Sequence, residues 1–270
     1  MTLVVTGSAG FIGSNFINGW FASSDEEVLS LDALTYAGNL NNLKHQDKNK
    51  NHHFANADIT DRKKIKDLFD EYKPRAIIHF AAESHVDRSI SGSDAFIKTN
   101  IIGTYNLLEV CREYQANNEI KFIHISTDEV FGSLSDGDEP FSESTSYKPN
   151  SPYSASKASS DHLVRAWHHT YNLPVITTNC SNNFGPYQFP EKLIPLIILN
   201  AMSLKSLPIY GNGKNVRDWL HVSDHCRAIE RVLDKGVIGE SYNIGGNCEL
   251  TNLEVVTKIC NFLDQIKPKK

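Results

Sequence analysis

The sequence lacks the features that mark several classes of protein. Its five cysteines are scattered and form no Cys-x-x-Cys pair, which argues against a disulfide framework or a zinc site and favours a reducing compartment. No apolar run approaches membrane-spanning length, and no signal-peptide pattern precedes the first predicted strand, so we expect a cytoplasmic protein without a membrane partner. The one basic run, at 267–270, is interpreted as a solvated tail, and we expect no nucleic-acid partner and no metal.

What the sequence does contain is an ordinary globular composition, with 40% hydrophobic and 22% charged residues and a formal charge of −5. A chain of 270 residues can bury a sizeable core as one large domain or two closely associated ones. There is no internal repeat and no low-complexity segment. We therefore look for function in local motifs.

A glycine-rich turn follows the first predicted strand. The β-branched run 2–6 leads directly into Gly7, Gly10 and Gly13, and an apolar helix follows. A strand, glycines at this spacing and a helix form the context of a dinucleotide fingerprint, in which the helix N-terminus offers free N–H groups to a pyrophosphate. The start of the chain therefore predicts a dinucleotide site.

Two acidic residues end the next two predicted strands. Asp32 closes the strand 27–32, where a carboxylate hydrogen-bonds the ribose hydroxyls and repels a 2′-phosphate, so NAD is favoured over NADP. Asp58 lies in the third predicted strand, 52–59. It is placed to meet the adenine, or equally to cap a helix that begins near Asp61 and runs over 62–72.

Strands and helices alternate along the first two thirds of the chain. Six strand candidates end with 174–178, which predicts an α/β fold with a doubly wound parallel Rossmann sheet. After 179 the pattern changes to turns, short strands at 207–211 and 216–220, and a helix from about 252 to 264. We therefore predict an NAD-binding Rossmann domain at 1–178 and a smaller C-terminal substrate lobe at 179–270, partly interleaved with it.

Two motifs carry the predicted chemistry. The apolar strand 122–126 ends in Thr127, Asp128 and Glu129, and adjacent carboxyls can supply one acid and one base. Tyr153 and Lys157 are four residues apart, hence on one face of a helix that starts after Pro152. An ammonium beside a phenol lowers the pKa of the phenol, which would make Tyr153 a base toward a substrate hydroxyl.

Together these motifs resemble the extended short-chain dehydrogenases/reductases, and within them the nucleotide-sugar 4,6-dehydratases of the NAD-dependent epimerase/dehydratase group. The resemblance runs from Leu3 to Asp264. It is carried by the glycine turn and by the segments 32–39, 81–89, 126–130, 153–157, 179–183, 189–193 and 215–218.

The resemblance implies dehydration of dTDP-glucose to the 4-keto-6-deoxy sugar with tightly bound NAD. Tyr153 would take the proton of the 4-hydroxyl as C4 is oxidised, Glu129 would remove the C5 proton, and Asp128 would protonate the departing C6 hydroxyl. Thr127 would hydrogen-bond the 4-oxygen, and Lys157 would also hold the nicotinamide ribose. The hydride would then return to C6, with no net redox change.

The resemblance also assigns binding residues and a partner. Relatives are homodimers joined by helices that correspond here to 97–115 and 154–171. The cofactor would contact Gly7, Gly10, Phe11, Ile12, Gly13, Asp32, Ala33, Leu34, Thr35, Asp58, Ile59, Phe80, Ala81, Ala82, Ser84, Thr99, Tyr153, Lys157 and Asn183. The nucleotide sugar would contact Ser84, His85, Thr127, Asn182, Lys192, Leu193, Pro208, Ile209, Tyr210, Arg217 and Asn252.

Two alternative functions remain open at this point. A UDP-sugar 4-epimerase shares the fold, the tyrosine and the lysine, but it needs no acid–base pair at C5 and C6, so Asp128 and Glu129 favour dehydration. The chains of relatives continue beyond Pro268, so we expect an incomplete substrate lobe here. A catalytically silent NAD-binding fragment is therefore the second alternative, and the intact catalytic residues argue against it.

Overall fold

A seven-stranded, all-parallel sheet lies at the centre of the computed structural model, which describes residues 1–135 and 137–266. The strands are β1 (Thr2–Thr6), β2 (Glu27–Asp32), β3 (His52–Asn56), β4 (Pro74–His79), β5 (Lys121–Thr127), β6 (Val175–Cys180), β7 (Asn182–Phe184), β8 (Val216–His221), β9 (Ser241–Ile244) and β10 (Glu249–Thr251). The order in the large sheet is β3-β2-β1-β4-β5-β6-β9, and β10, β8 and β7 form a second, small sheet. The predicted doubly wound α/β fold is confirmed.

Helices connect and cover these strands. The α-helices are α1 (Phe11–Ser23), α2 (Arg62–Tyr72), α3 (Val86–Ser91), α4 (Asp94–Phe96), α5 (Thr104–Tyr114), α6 (Pro152–Tyr171), α7 (Leu193–Met202), α8 (Val222–Lys235) and α9 (Asn252–Ile266). A π-helical stretch, Ile97–Gly103, joins α4 to α5, and 3₁₀ turns span Leu40–Gln46 and Asp128–Phe131. Among the described residues, no helix combines the length and the apolar character needed to cross a bilayer.

Burial on both faces of the large sheet explains its apolar strands. On one face Val4 and its neighbours pack against α2, α5 and α6, and on the other Leu3 and Val5 pack against α1 and α8. Strands of a parallel sheet covered on both sides carry apolar residues without alternation. The core therefore consists of two layers of side chains, one on each side of the sheet.

The sheet order places a crevice between β1 and β4. From β1 the chain builds outward to β2 and β3, and it then returns to the other side of β1 with β4. Ligands of doubly wound sheets bind at such a reversal, beyond the carboxyl ends of the strands. The glycine turn after β1 lies at this crevice.

Several predicted elements end elsewhere or are absent. The third strand stops at Asn56 rather than at residue 59, and β9 joins the large sheet from within the predicted lobe. The predicted strand at 207–211 is wrong, because Pro208 cannot donate to a ladder and Gly211 and Gly213 turn the chain with φ of +55° and +73°. The division at 178/179 stays a prediction, and the basic run at 267–270 lies outside the described residues.

Candidate active site

The glycine turn forms a cradle that side chains would fill. Gly7 has φ of +65°, and a Cβ there would lie 2.7 Å from the Ala81 nitrogen. A Cβ on Gly13 would lie 2.3 Å from the Gly7 oxygen. Helix α1 begins at Phe11, with Ile12 in its first turn, and Gly10 at its N-cap supplies no side-chain cap. Close backbone approach and uncapped N–H groups are what a pyrophosphate requires, so the cradle fits a dinucleotide.

Asp32 ties the end of β2 to this cradle. The side chain is buried, and its Oδ2 accepts a hydrogen bond from the Ala9 nitrogen at 2.9 Å, while Oδ1 accepts from the Leu34 nitrogen at 2.8 Å. Burial raises the pKa of Asp32, and the two backbone bonds oppose that rise. The carboxylate therefore lies where a ribose would reach it, with Ala33, Leu34 and Thr35 following directly.

Asp58 does not cap α2. Its Oδ1 accepts from the Thr60 nitrogen at 2.8 Å, whereas Asp61 caps the helix by accepting from the Lys64 nitrogen at 3.0 Å. The capping interpretation of Asp58 is therefore wrong. Asp58 is exposed, and the adjacent Ile59 is buried.

The loop after β4 forms the opposite wall of the crevice. It carries Phe80, Ala81, Ala82 and Ser84, and the Ala81 nitrogen donates to the Thr6 hydroxyl at 3.2 Å. Asn100, next to Thr99 in the π-helical stretch, binds both the nitrogen and the carbonyl of Glu83, at 2.8 and 2.9 Å. These bonds fix the loop, and Asn100 is a residue that the sequence motifs did not single out.

The carboxyl end of β5 presents the acidic pair. Thr127 caps the 3₁₀ turn by accepting from the Glu129 nitrogen at 3.3 Å, and its hydroxyl donates to Asp128 Oδ1 at 3.3 Å. Burial, and then the charge of Glu129, raise the pKa of Asp128 from 3.8 to about 6, against the opposing effects of Thr127 and Arg217. Asp128 is thus suited to hold a proton, as an acid must.

Tyr153 and Lys157 lie one turn apart on α6, and both are buried. The Lys157 ammonium donates to the Ile125 carbonyl of β5 at 2.9 Å. Burial and the charge of Glu129 raise the pKa of Tyr153 well above its usual value. The prediction that Lys157 lowers this pKa is wrong for the chain alone, because the lysine bonds to β5 and the charges that dominate at the phenol are negative.

Asp161 is a buried carboxylate that sequence reasoning missed. It lies one turn beyond Lys157, is 4% exposed, and accepts hydrogen bonds from His124, Ser126, Tyr147 and Asn179 at 2.9, 2.8, 3.0 and 3.4 Å. These donors and the nearby Lys157 charge hold the pKa of Asp161 below its usual value despite burial. The recurrence of Tyr153, Lys157 and Asp161 at four-residue spacing was the available signal.

Lys192 and His85 lie together at the mouth of the site. The Lys192 ammonium donates to the Ser84 carbonyl at 3.1 Å, beside Leu193 at the start of α7. His85 approaches the neighbouring Glu191 carboxylate at 3.6 Å. These two contacts tie the segment 191–193 to the loop after β4, of which His85 is the last residue.

The remaining predicted substrate residues come from the C-terminal third. Arg217 on β8 is exposed, and its charge reaches Asp128. Tyr210 follows the half-buried Ile209 and the exposed Pro208, and its hydroxyl donates to Asp87 at 2.8 Å. Asn182 and Asn183 lie on β7, whereas Asn252 begins α9 and bonds through its backbone to Asn215. The charge of Glu129 acts on Lys192 and that of Arg217 on Asp128, so the geometry brings both cations near the acidic pair.

Comparison with known proteins identifies the family to which this chain is similar. A family model described as GDP-mannose 4,6 dehydratase matches residues 4–270. A dTDP-glucose 4,6-dehydratase of Xanthomonas campestris pv. campestris (strain B100) is 57% identical over 275 residues, which is 100% of this chain and 78% of the relative. Both the family model and this relative cover nearly the whole chain.

Solved structures show the same fold. The dTDP-glucose 4,6-dehydratase of Bacillus anthracis, in complex with NAD, has a TM-score of 0.90 and 50% identity, and covers 97% of this chain and 81% of that one. A UDP-glucuronic acid 4-epimerase of Bacillus cereus also has a TM-score of 0.90, with 28% identity over 100% of this chain and 84% of that one. The fold alone is therefore shared by both activities, whereas the sequence identity is far higher to the dehydratase. The chain belongs to the dTDP-glucose 4,6-dehydratase family.

Proposed function

We propose that this chain converts dTDP-glucose to dTDP-4-keto-6-deoxyglucose with NAD as its resident cofactor. The observation that carries the proposal is the acidic pair that follows β5: Asp128 and Glu129 come directly after Thr127, and the pKa of Asp128 is raised to about 6. An elimination of water across C5 and C6 needs one protonated acid and one base. An epimerization at C4 needs no acid–base pair at C5 and C6, so Asp128 and Glu129 favour dehydration.

NAD would be held by the glycine cradle and the carboxylate of Asp32. The cradle has no room for a Cβ at Gly7 or Gly13, and the buried Asp32 faces it through the Ala9 nitrogen. When bound, NAD would supply the reversible hydride acceptor that the oxidation at C4 and the reduction at C6 require. The carboxylate of Asp32 favours free ribose hydroxyls over a 2′-phosphate.

Tyr153 takes the proton from the 4-hydroxyl. In the chain alone, burial and Glu129 keep the phenol neutral. Opposite charge near a phenol lowers its pKa, so the positive nicotinamide ring of oxidised NAD would favour the phenolate. The base is therefore active only in the loaded enzyme.

Glu129 and Asp128 carry out the elimination. The C4 ketone acidifies the C5 proton, and Glu129 accepts that proton, while Asp128 gives its own proton to the C6 hydroxyl, which leaves as water. When the hydride reaches C6, Glu129 returns a proton to C5. After these steps Glu129 is again ionised, whereas Tyr153 holds the proton of the 4-hydroxyl and Asp128 has lost its own. Transfer of one proton from Tyr153 to Asp128 through solvent restores the starting state.

Two cations suit the nucleotide diphosphate. Lys192 is held at the mouth by the Ser84 carbonyl, and Arg217 is exposed on β8. Arginine binds phosphate through two parallel hydrogen bonds, and lysine acts as a compact point charge. These residues would hold the substrate with its sugar toward the acidic pair.

A homodimer through the faces of α5 and α6 is a further part of the proposal. Ile97, Ile102 and Tyr171 are 46%, 46% and 43% exposed. Ile97 and Ile102 lie in the π-helical stretch that leads into α5, and Tyr171 ends α6. Exposed large apolar side chains along these segments favour a protein partner over water. We place the enzyme in the cytoplasm, because its free cysteines suit a reducing compartment.

The proposal is tested by incubating the purified chain with dTDP-glucose in deuterated water and analysing the product by mass spectrometry. We expect loss of water and gain of one deuterium at C5. Inversion at C4 without loss of water would establish the epimerase alternative. Bound NAD without conversion, and without binding of the nucleotide sugar, would establish a silent cofactor-binding chain.

A further inference from the structure

Glu129 is supported by a short chain of hydroxyl groups at the start of α6. The Ser154 hydroxyl donates to Glu129 Oε2 at 3.2 Å, and Ser151 Oγ lies 2.6 Å from Ser154 Oγ. Ser154 is 2% exposed. Within residues 1–135 and 137–266, Ser154 is the only residue whose side chain hydrogen-bonds the Glu129 carboxylate.

The direction of these bonds follows from the chemistry of the groups. An ionised carboxylate only accepts, so the Ser154 proton points to Glu129 and the Ser151 hydroxyl donates to Ser154. Ser151 in turn accepts from the Ser154 nitrogen at 3.0 Å as the N-cap of α6. Each bond polarises the next, and a helix N-terminus favours negative charge nearby.

We propose that Ser154 is a positioning residue that holds Glu129 Oε2, so that Oε1 faces the C5 proton of the sugar. This inference deepens the proposed function and rests on it. Tyr153, the base for O4, is the adjacent residue on the same helix. One rigid element therefore fixes the two proton acceptors of the reaction relative to each other.

Ser154→Ala removes the hydroxyl and keeps the helix, because alanine is the best helix former. We expect turnover to fall about tenfold with unchanged KM, the size typical of one hydrogen bond to a charged group. Only C5 deprotonation should slow. The primary isotope effect on turnover should therefore rise for substrate deuterated at C5 and decline for substrate deuterated at C4.

Ser159→Ala is the matched control. Ser159 lies on the same helix, and its hydroxyl donates to the Ala155 carbonyl at 2.8 Å. We expect this variant to keep the turnover and both isotope effects of the unaltered chain. It controls for the loss of a serine hydroxyl from α6.

Two results would overturn the positioning role. One is unaltered turnover in Ser154→Ala. The other is slower turnover without a larger C5 isotope effect, since a general disturbance of the site would slow the oxidation at C4 as well. If the unaltered chain forms no product, both the proposed function and this inference fail. If the unaltered chain forms the product and Ser154→Ala turns over at the same rate, only the inference fails.

Discussion

Asp128 and Asp161 are two aspartates of one site whose carboxyl pKa values are shifted in opposite directions. Among the residues the structure describes, Thr127 donates to Asp128, whose pKa is raised to about 6 by burial and by the charge of its neighbour Glu129. Asp161 is more deeply buried, and burial raises the pKa of its carboxyl, yet that pKa lies below the usual value because His124 and Ser126 donate to it and the charge of Lys157 is near. Burial alone therefore does not set the protonation of a carboxyl; the donors and charges around it do.

The opposite pKa shifts of Asp128 and Asp161 suit their positions in the site. A proton on Asp128 is available at the mouth of the site for the C6 hydroxyl. A lasting charge on Asp161 raises the pKa of the buried Lys157 toward its usual value and opposes the desolvation that lowers it. We therefore expect one aspartate to move a proton during turnover and the other to keep its charge throughout.

The largest expected effect comes from removing the neighbour of Asp128. Glu129→Gln should keep binding of NAD and sugar but slow dehydration by about 10³-fold, within the range for loss of a general base. Loss of the Glu129 charge should also lower the pKa of Asp128, since that charge raises it. Mass spectrometry of the product measures the first effect, and full-rate product formation would refute the assignment of Glu129.

Asp161→Asn tests the contribution of the aspartate whose pKa is lowered. The amide cannot accept from all four donors, so we expect the free energy of unfolding at pH 7 to fall by about 3 kcal/mol, a size typical of breaking a buried charged network. The pKa of Asp161 is lower in the folded chain than its unfolded value near 3.8. The stabilisation by its charge is therefore fully present above pH 3.8 and is lost as the pH falls through the folded-state pKa.

Denaturant unfolding at pH 7 and at low pH measures this loss. Tyr147→Phe is the control, because it removes one donor and leaves the charge, and it should cost about 1 kcal/mol. Equal stability of Asp161→Asn and the unaltered chain at pH 7 would show that the carboxyl is not held as an anion.

Asp128→Asn should change the free energy of unfolding in the opposite direction. The folded pKa of Asp128, about 6, lies above its usual 3.8, so ionisation destabilises the folded chain increasingly from pH 4 to pH 6. The neutral amide avoids that cost. For a partly exposed group we expect a gain of about 1 kcal/mol in the free energy of unfolding at pH 8 and none at pH 4. A loss of stability at pH 8 would contradict the raised pKa.

Asp32 combines the effects seen at Asp128 and Asp161, because burial raises its pKa while two backbone donors oppose the rise. We expect Asp32→Ala to weaken the preference for NAD over NADP about tenfold, since one carboxylate separates the two ribose forms. Equilibrium binding of both cofactors measures the preference. An unchanged preference would mean that another group reads the ribose.

Local motifs predicted the fold and the site where chemistry depends on backbone pattern. The glycine turn, Asp32 and the acidic pair follow strands that apolar runs identify, and the helix over 62–72 has the predicted bounds. Local motifs do not encode the contacts between distant segments of the chain. The four donors to Asp161, the addition of β9 to the sheet and the raised pKa of Tyr153 depend on tertiary packing, which spacing along the chain does not encode.

The most direct test of the central claim is a carbon-13 NMR titration of the aspartate carboxyl carbons in the purified chain. Asp128→Asn and Asp161→Asn assign the two signals. We predict that Asp128 titrates near pH 6 and that Asp161 stays ionised down to pH values below the usual 3.8. Titration of both carboxyls at the usual value, or an Asp161 signal that gains its proton first, would contradict the account.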